Sequence, residues 1–149
     1  MSNNLIDPRG PRFGAAITSV ISLTAFFLAT SVFGGPQIAY WLILLLTVLF
    51  SWSVISPATH PYASIFKSLV RPRLRPPIEL EDPRPPQFAQ KVGLGFALFG
   101  TLGGIVFGGW AITLSAGFIF VAAFLNAAFN FCLGCQMYLG LRRVGILKK

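Results

Sequence analysis

The sequence predicts an all-α integral membrane protein whose four transmembrane helices form two helical hairpins. Of its 149 residues, 54% are hydrophobic and only 11% are charged, which is more apolar than soluble globular proteins. No charged side chain lies between Arg12 and Lys67, or between Lys91 and Arg142. Because one crossing of the bilayer takes about 20 helical residues, each uncharged stretch has room for two crossings and a turn.

Glycines and a proline near the middle of each uncharged stretch indicate where the chain turns. Gly34-Gly35-Pro36 divides the first stretch, and Gly108-Gly109 divides the second, with residues 113–117 as the alternative break. The predicted transmembrane spans are therefore about residues 13–33, 38–56, 92–109 and 115–133.

Positive charge is confined to three segments: the first dozen residues, the connector at 67–91 and the tail at 142–149. Lys and Arg accumulate in the short cytoplasmic loops of membrane proteins, so both termini are predicted to be cytoplasmic. The net charge of +8 is spread over short loops rather than a groove, which favours the lipid bilayer as partner and argues against nucleic acid. Five residues are predicted to contact lipid head groups: Arg71, Arg73, Arg75, Arg142 and Arg143.

An internal duplication divides the single membrane domain, residues 1–149. The segment that starts Asp7-Pro8-Arg9 recurs 75 residues later as Asp82-Pro83-Arg84, and residues 32–35 recur as 106–109. Because each unit crosses twice, both units begin on the same face, as parallel repeats about a pseudo-two-fold axis along the membrane normal. The parts are repeat one at about 7–66, a Pro-rich connector at about 67–91 that is expected to run extended, repeat two at about 82–141, and the basic tail at 142–149.

Gly100, Gly104 and Gly108 recur every four residues in the third predicted helix. This spacing places them on one helix face, where another helix can approach closely. We expect the first and third transmembrane helices to pack together there, about the pseudo-axis. Homodimerisation, or packing into a larger membrane complex, through the same glycines is the alternative.

Cys132 and Cys135 form a Cys-x-x-Cys pair near the predicted cytoplasmic end of the last helix. A permanent structural disulfide is not expected in that reducing compartment, which leaves a reversible dithiol, a persulfide carrier, a metal contact or simple packing. A helix that runs unbroken into Arg142 would oppose thiolate formation. A break at Gly134 would place a helix N-terminus near Cys135 and favour it. Sequence leaves both geometries open.

His60, the only histidine, is a candidate helper for the cysteine pair. The offset of 75 carries Cys132 onto Pro57 and Cys135 onto His60, which suggests a base or charge partner for a thiol. The alternative is an interfacial histidine in a turn bounded by prolines. Two cysteines and one histidine fall short of the four ligands of a tetrahedral zinc site, so neither a metal nor another cofactor is expected.

The segments Ala123-Phe124-Leu125-Asn126-Ala127-Ala128-Phe129 and Phe131-Cys132-Leu133-Gly134-Cys135 resemble a signature of the bacterial membrane family catalogued as domain of unknown function 4395. Residues 69–74 and 77–82 agree with that resemblance, which extends over nearly the whole chain. It implies a small multi-pass protein of the bacterial inner membrane without an established activity. It also implies an association with thioredoxin-like and thiosulfate sulfurtransferase-like proteins.

The leading hypothesis is a thiol redox or sulfur relay, in which Cys132 and Cys135 exchange electrons or sulfane sulfur with a thioredoxin-like or sulfurtransferase-like cytoplasmic protein. The alternatives are a non-catalytic assembly subunit of a larger membrane complex and a small transporter for a sulfur compound. A conventional enzyme is not expected because the sequence contains no acid and base pair and no nucleotide-binding loop.

Overall fold

Six α-helices form within residues 5–31 and 35–146, which are the residues that the computed structural model describes. They are α1 (Arg9–Thr30), α2 (Gly35–Ile55), α3 (Pro61–Ile65), α4 (Arg84–Val106), α5 (Gly109–Phe129) and α6 (Leu133–Val144). The long helices α1, α2, α4 and α5 are each apolar and long enough to cross a bilayer. The prediction of an all-helical chain with four transmembrane helices is therefore confirmed.

The helix ends differ from the predicted spans because capping residues, not the limits of the uncharged stretches, determine them. Pro85 and Pro86 occupy the first turn of α4, where proline is tolerated, so this helix starts at Arg84 rather than near residue 92. Gly108, with φ of 84°, directly precedes α5. Of the two predicted breaks in the second stretch, the structure thus has the one at Gly108-Gly109. Gly34 of the other predicted turn lies outside the described residues.

The four long helices form a ring in the order α1, α2, α4, α5. Each of α1 and α4 packs against both α2 and α5. The prediction that the first and third transmembrane helices pack tightly together is wrong, because α1 and α4 occupy opposite corners of this ring. The glycine spacing of α4 indicated a close approach, but it could not indicate which helix approaches.

Small and β-branched side chains fill the centre of the bundle. Lipid tails are as apolar as leucine, so close packing and hydrogen bonds between helices are the main attractive forces in a bilayer. Thr47 Oγ1 of α2 lies 2.7 Å from Thr101 Oγ1 of α4, and Ser115 Oγ of α5 donates to Phe96 O of α4 at 2.6 Å. The core cluster comprises Ala25, Ala39, Ile43, Leu46, Ala97, Ile112, Ala116 and Ile119.

The three glycines predicted to pack have two different functions. A Cβ on Gly100 would lie 2.5 Å from Ser115 Oγ, and one on Gly104 would lie 3.0 Å from Ile112 Cγ1, so both permit close packing of α5 on α4. Gly108 does not share this packing, since a Cβ there would meet nothing within 4 Å. Its positive φ makes it the turn residue between α4 and α5 instead.

The two copies of the Asp-Pro-Arg motif meet at one end of the bundle. Ile6 and Glu81, which immediately precede Asp7 and Asp82, form an antiparallel bridge in which each N–H donates to the other residue's carbonyl at 2.9 Å. The helices α1 and α4 therefore begin at the same end, which we call the charged end. The assignment of this end to the cytoplasm, and the duplication itself, remain predictions.

The connector is less extended than predicted. Phe66–Val70 forms a π-helical turn and Arg71–Arg73 a 3-10 turn, and residues 84–91 belong to α4. Within the predicted connector, 67–91, residues 74–83 are the ones that lie outside helices. Proline permits a short helical turn at its start, which is why a Pro-rich segment need not be extended throughout.

Candidate functional site

The chain breaks its helix between α5 and α6, directly before the cysteine pair. Asn130 adopts a left-handed conformation with φ of 55°, which Asn tolerates better than most residues. The Phe131 N–H then reaches back to Leu125 O at 3.1 Å. The helix break thus spans Asn130 to Cys132. It lies before Gly134, which the sequence had suggested as the position of the break.

Cys132 is the N-cap residue of α6, and its Sγ accepts the backbone N–H of Cys135 at 3.1 Å. The two sulfurs are joined in a disulfide, with the Cα atoms 5.1 Å apart. The first N–H groups of a helix have no partner within the helix, so they favour a negative charge placed at the N-cap. Of the two geometries that the sequence left open, the structure has the one with a helix N-terminus at the pair, and it lies at Cys132.

Close packing on α4 fixes the position of α6. Gly134 is buried, and a Cβ there would lie 2.5 Å from both Cα and Cβ of Ala89. One turn further along, the rings of Tyr138 and Phe88 have centroids 5.7 Å apart. The role of Gly134 is therefore to let α6 approach α4.

The cysteine pair is partly exposed. Both cysteines are half-buried. Beside them Phe131 and Met137 are 44% and 51% exposed. The pair therefore lies at the surface of the charged end and not in the core between the long helices.

His60 lies in a separate site, in the turn before α3. Its ring is buried, with Nε2 2.9 Å from Leu49 O and Nδ1 accepting the Tyr62 N–H at 3.2 Å. Burial lowers the pKa of His60, so the neutral form is favoured. Both ring nitrogens are occupied by the backbone, and α3 packs on α1 whereas α6 packs on α4 and α5. The structure does not bring His60 together with the cysteines.

The five arginines predicted to contact lipid head groups all lie at the charged end. Arg71, Arg73, Arg75 and Arg143 are exposed, and Arg142 is half-buried in the last turn of α6. Positive charge in a last turn compensates the negative end of the helix dipole. Among residues 5–31 and 35–146, no three His, Cys, Asp or Glu side chains are grouped as a metal site.

Each Asp-Pro-Arg motif is closed by an ion pair. Arg9 Nη2 donates to Asp7 Oδ2 at 2.8 Å, and Arg84 Nη2 donates to Asp82 Oδ2 at 2.6 Å. These side-chain hydrogen bonds hold the pKa of Asp7 and of Asp82 below the usual value for a carboxyl group. Both motifs therefore stay ionised and fix the first turns of α1 and α4.

Sequence reasoning missed Arg12 as part of this region. Arg12 Nη2 donates to Ala127 O at 3.1 Å, and so connects α1 to the end of α5. One signal was available in the sequence: the second copy of the motif has Gln87 at the position that corresponds to Arg12.

The model of a known family matches the chain over residues 6–143, and its description is "Domain of unknown function (DUF4395)". The chain belongs to this family. The resemblance predicted from the sequence is thereby confirmed. Neither a curated protein nor a solved structure matches the chain. Because the DUF4395 description includes no activity, function has to be argued from the site.

Proposed function

We propose that this DUF4395 protein is a membrane-anchored thiol relay, which exchanges electrons or sulfane sulfur with a thioredoxin-like or sulfurtransferase-like cytoplasmic protein. One observation carries the proposal: Cys132 caps a helix N-terminus, with its sulfur on the Cys135 N–H. Helix N-termini favour the thiolate, which is the form of cysteine that attacks disulfides and leaves from them. Packing alone would not require this position.

Electron exchange proceeds by two thiol–disulfide steps. A thiolate of the soluble partner attacks Cys132 Sγ, which forms a mixed disulfide and releases Cys135 as a thiolate that takes up a proton. The second thiolate of the partner then attacks its own sulfur in the mixed disulfide and releases Cys132. The partner becomes a disulfide, and the cysteine pair gains two electrons and two protons. The reverse sequence returns the electrons to a partner.

Sulfur exchange uses the same two residues. The Cys132 thiolate attacks the outer sulfur of a partner's persulfide, and the partner's thiolate leaves. Cys135 thiolate then attacks the inner sulfur of the Cys132 persulfide, which forms the disulfide and releases hydrosulfide. The N-terminus of α6 stabilises the anion on Cys132 before the first step.

The distribution of charge supports a cytoplasmic partner. The cysteine pair shares its end of the bundle with both Asp-Pro-Arg motifs and with the exposed arginines of residues 71–75. Positive charge in short loops is characteristic of the cytoplasmic side. We therefore propose that both termini are cytoplasmic, and the family resemblance suggests that the membrane is a bacterial inner membrane.

Reversible oxidation is the direct test of the relay. Membranes are treated with dithiothreitol, a mild oxidant or thiosulfate, free thiols are alkylated, and the masses of the peptides that carry Cys132 and Cys135 are measured. The relay predicts that the pair cycles fully between disulfide and dithiol. With a sulfur donor it also predicts persulfide species that are heavier by 32 Da per added sulfur, on the order of one sulfur per chain. Thiols that stay unmodified in every condition would refute it.

A second candidate, an assembly subunit of a larger membrane complex, is favoured by a groove on the outside of α4 and α5. Gly95 is exposed at this groove, and a Cβ there would meet nothing within 4 Å. Aromatic and aliphatic side chains line it: Val92, Phe96, Phe99, Leu114 and Phe118. Small residues in such a position let a partner helix approach closely.

Gly95→Leu tests this candidate through the size of the solubilised complex on native gels. An assembly role predicts that Gly95→Leu shifts the protein to its monomer size, whereas the double change of both cysteines to alanine has no effect. Gly140→Leu is the matched control, since Gly140 also has nothing within 4 Å but lies on α6. An unchanged size in Gly95→Leu contradicts the role. Gly104→Leu is not suitable because Gly104 packs inside the bundle.

A further inference from the structure

The two copies of the Asp-Pro-Arg motif differ in charge at one position, Arg12 against Gln87. Their other charged residues make equivalent contacts: the backbone N–H of Arg9 donates to Asp7 Oδ1 at 3.0 Å, and that of Arg84 donates to Asp82 Oδ1 at 2.9 Å. Because the two copies otherwise have the same geometry, the arginine at position 12 points to a need for a cation at that place in the first copy. The extra cation belongs to the copy at the start of α1, where Arg12 donates to Ala127 O near the end of α5.

The guanidinium of Arg12 satisfies the end of α5. The last carbonyls of a helix have no partner within the helix, and a cation near them compensates the helix dipole. Arg12 Nη2 donates to Ala127 O at 3.1 Å, two residues before α5 ends at Phe129. Its Nε is buried and has no hydrogen-bond partner among the described residues. The side chain is thus committed to the end of α5 rather than to solvent.

The corresponding place in the other half has no such contact. Gln87 is exposed, and the segment that follows α2 is the turn of His60, whose ring is held by Leu49 O and Tyr62 N–H. That turn needs no cation, because neutral imidazole closes it. Of these two described breaks, the one that leads to Cys132 has the Arg12 guanidinium bound to the end of the preceding helix.

We infer that Arg12 is a positioning residue for the cysteine pair. By holding Ala127 O, it ends α5 at the Asn130 break and so keeps Cys132 at the N-terminus of α6. Its functional consequence rests on the proposed relay, since the N-cap position matters for reactivity only if Cys132 acts as a thiolate. Arg12 would act through the position of the backbone at the end of α5 and not by touching the sulfurs.

The test is the pH profile of alkylation of reduced Cys132 by iodoacetamide, in the detergent-solubilised full chain. Arg12→Gln should slow alkylation near neutral pH by about two- to five-fold and move the profile to higher pH, as the N-terminus of α6 is lost. Arg12→Lys, which keeps the charge, should recover part of the rate. Gln87→Ala, the matched control, should leave the profile unchanged.

The other charged groups around α6 are the same in all variants. Among the described residues they are Arg142 and Arg143 on α6, Arg84 and Lys91 on α4, and Asp82 just before α4, while α5 carries none. Equal elution volumes show that the variants are folded to the same extent as the wild type. Complete alkylation after denaturation shows that their cysteines are reduced and intact. If Arg12→Gln does not fold, Arg12→Met, which keeps the apolar stem, takes its place with the same expectation.

An Arg12→Gln or Arg12→Met profile that superimposes on the wild-type profile overturns the inference. Alkylation needs no partner protein. The alkylation profile can therefore be interpreted even if no thiol partner exchanges electrons or sulfur with the chain. Conversely, an unchanged profile in the Arg12 variants would refute the role of Arg12 but not the relay.

Discussion

The two halves of the molecule fold back on themselves in the same way but end in different chemistry. After α2, the chain returns to α1, where Tyr62 lies against Gly14 and Phe66 against Phe13 with centroids 5.9 Å apart. After α5, it returns to α4 through Gly134 against Ala89 and Tyr138 against Phe88. The contacts correspond pair by pair.

These contacts give a correspondence between His60 and the cysteines that differs from the one predicted by the offset of 75. Gly14 and Ala89 are 75 residues apart, but Tyr62 and Gly134 are separated by 72, as are Phe66 and Tyr138. The same spacing of 72 places His60 opposite Cys132 rather than Cys135. Both are N-cap residues whose side chains accept a backbone N–H. The first half closes its cap with a buried imidazole, and the second half has the Cys132–Cys135 disulfide there.

Among the variants that test this comparison, Gly134→Val should lose the most stability. A Cβ at Gly134 would lie 2.5 Å from the backbone of Ala89, and backbone cannot move aside as a side chain can. We expect a loss of about 1–3 kcal/mol in stability, measured by thermal unfolding in detergent, together with faster proteolysis of α6. Gly140→Val, at a position with open space, is the control, and equal losses in both variants would contradict the packing.

Gly14→Ala should cost less than Gly134→Ala. The nearest atom to a Cβ at Gly14 is Tyr62 Cδ2 at 3.0 Å, and this ring can shift by a few tenths of an ångström. Melting temperatures of the two alanine variants measure the difference. A larger loss for Gly14→Ala would show that the first half is the more rigid one, contrary to the contacts.

Acidification should destabilise the first half through His60. Burial lowers the pKa of His60 from its ordinary value of 6.5, so the folded state binds fewer protons than the unfolded state just below that pH. The stability from neutral His60 is therefore complete above about pH 6.5 and decreases as pH falls toward the folded pKa. His60→Gln should flatten the melting temperature between about pH 5 and 7.

A wild-type melting temperature that stays constant over this range would contradict the neutral, doubly bonded imidazole. Asp7 and Asp82 do not interfere, because hydrogen bonds from Arg9 and Arg84 lower their pKa values from the ordinary carboxyl value, further away from this pH range.

Removing one carboxylate from each motif should have the smallest effect, and the effect should differ between the halves. The side chain of Asp7 is 8% exposed and that of Asp82 is 39% exposed, so solvent screens the second ion pair more strongly. Asp7→Asn should lower the melting temperature more than Asp82→Asn does. If the two variants lowered the melting temperature equally, at both high and low salt, this order would be contradicted.

The sequence was sufficient for the four crossings because membrane helices follow from long uncharged stretches. It was not sufficient for the helix break at Asn130, because Asn-Phe-Cys contains neither glycine nor proline. The hydrogen bond from Arg12 to Ala127 O near this break joins residues 115 positions apart, which no local pattern indicates. The order of helices in the ring was missed for a similar reason. Glycines at Gly100 and Gly104 predict close approach, but the identity of the neighbour is set by the whole bundle.

Trapping of a mixed disulfide tests the central claim most directly. A thioredoxin-like protein that lacks its second cysteine, and whose remaining cysteine is activated by a disulfide reagent, is incubated with the wild-type chain, with Cys135→Ser and with Cys132→Ser, each in the reduced form. The relay predicts that Cys135→Ser, which keeps Cys132 at the helix N-terminus, forms the mixed disulfide faster than Cys132→Ser, by about two- to five-fold. Equal and slow trapping in both variants would contradict the relay.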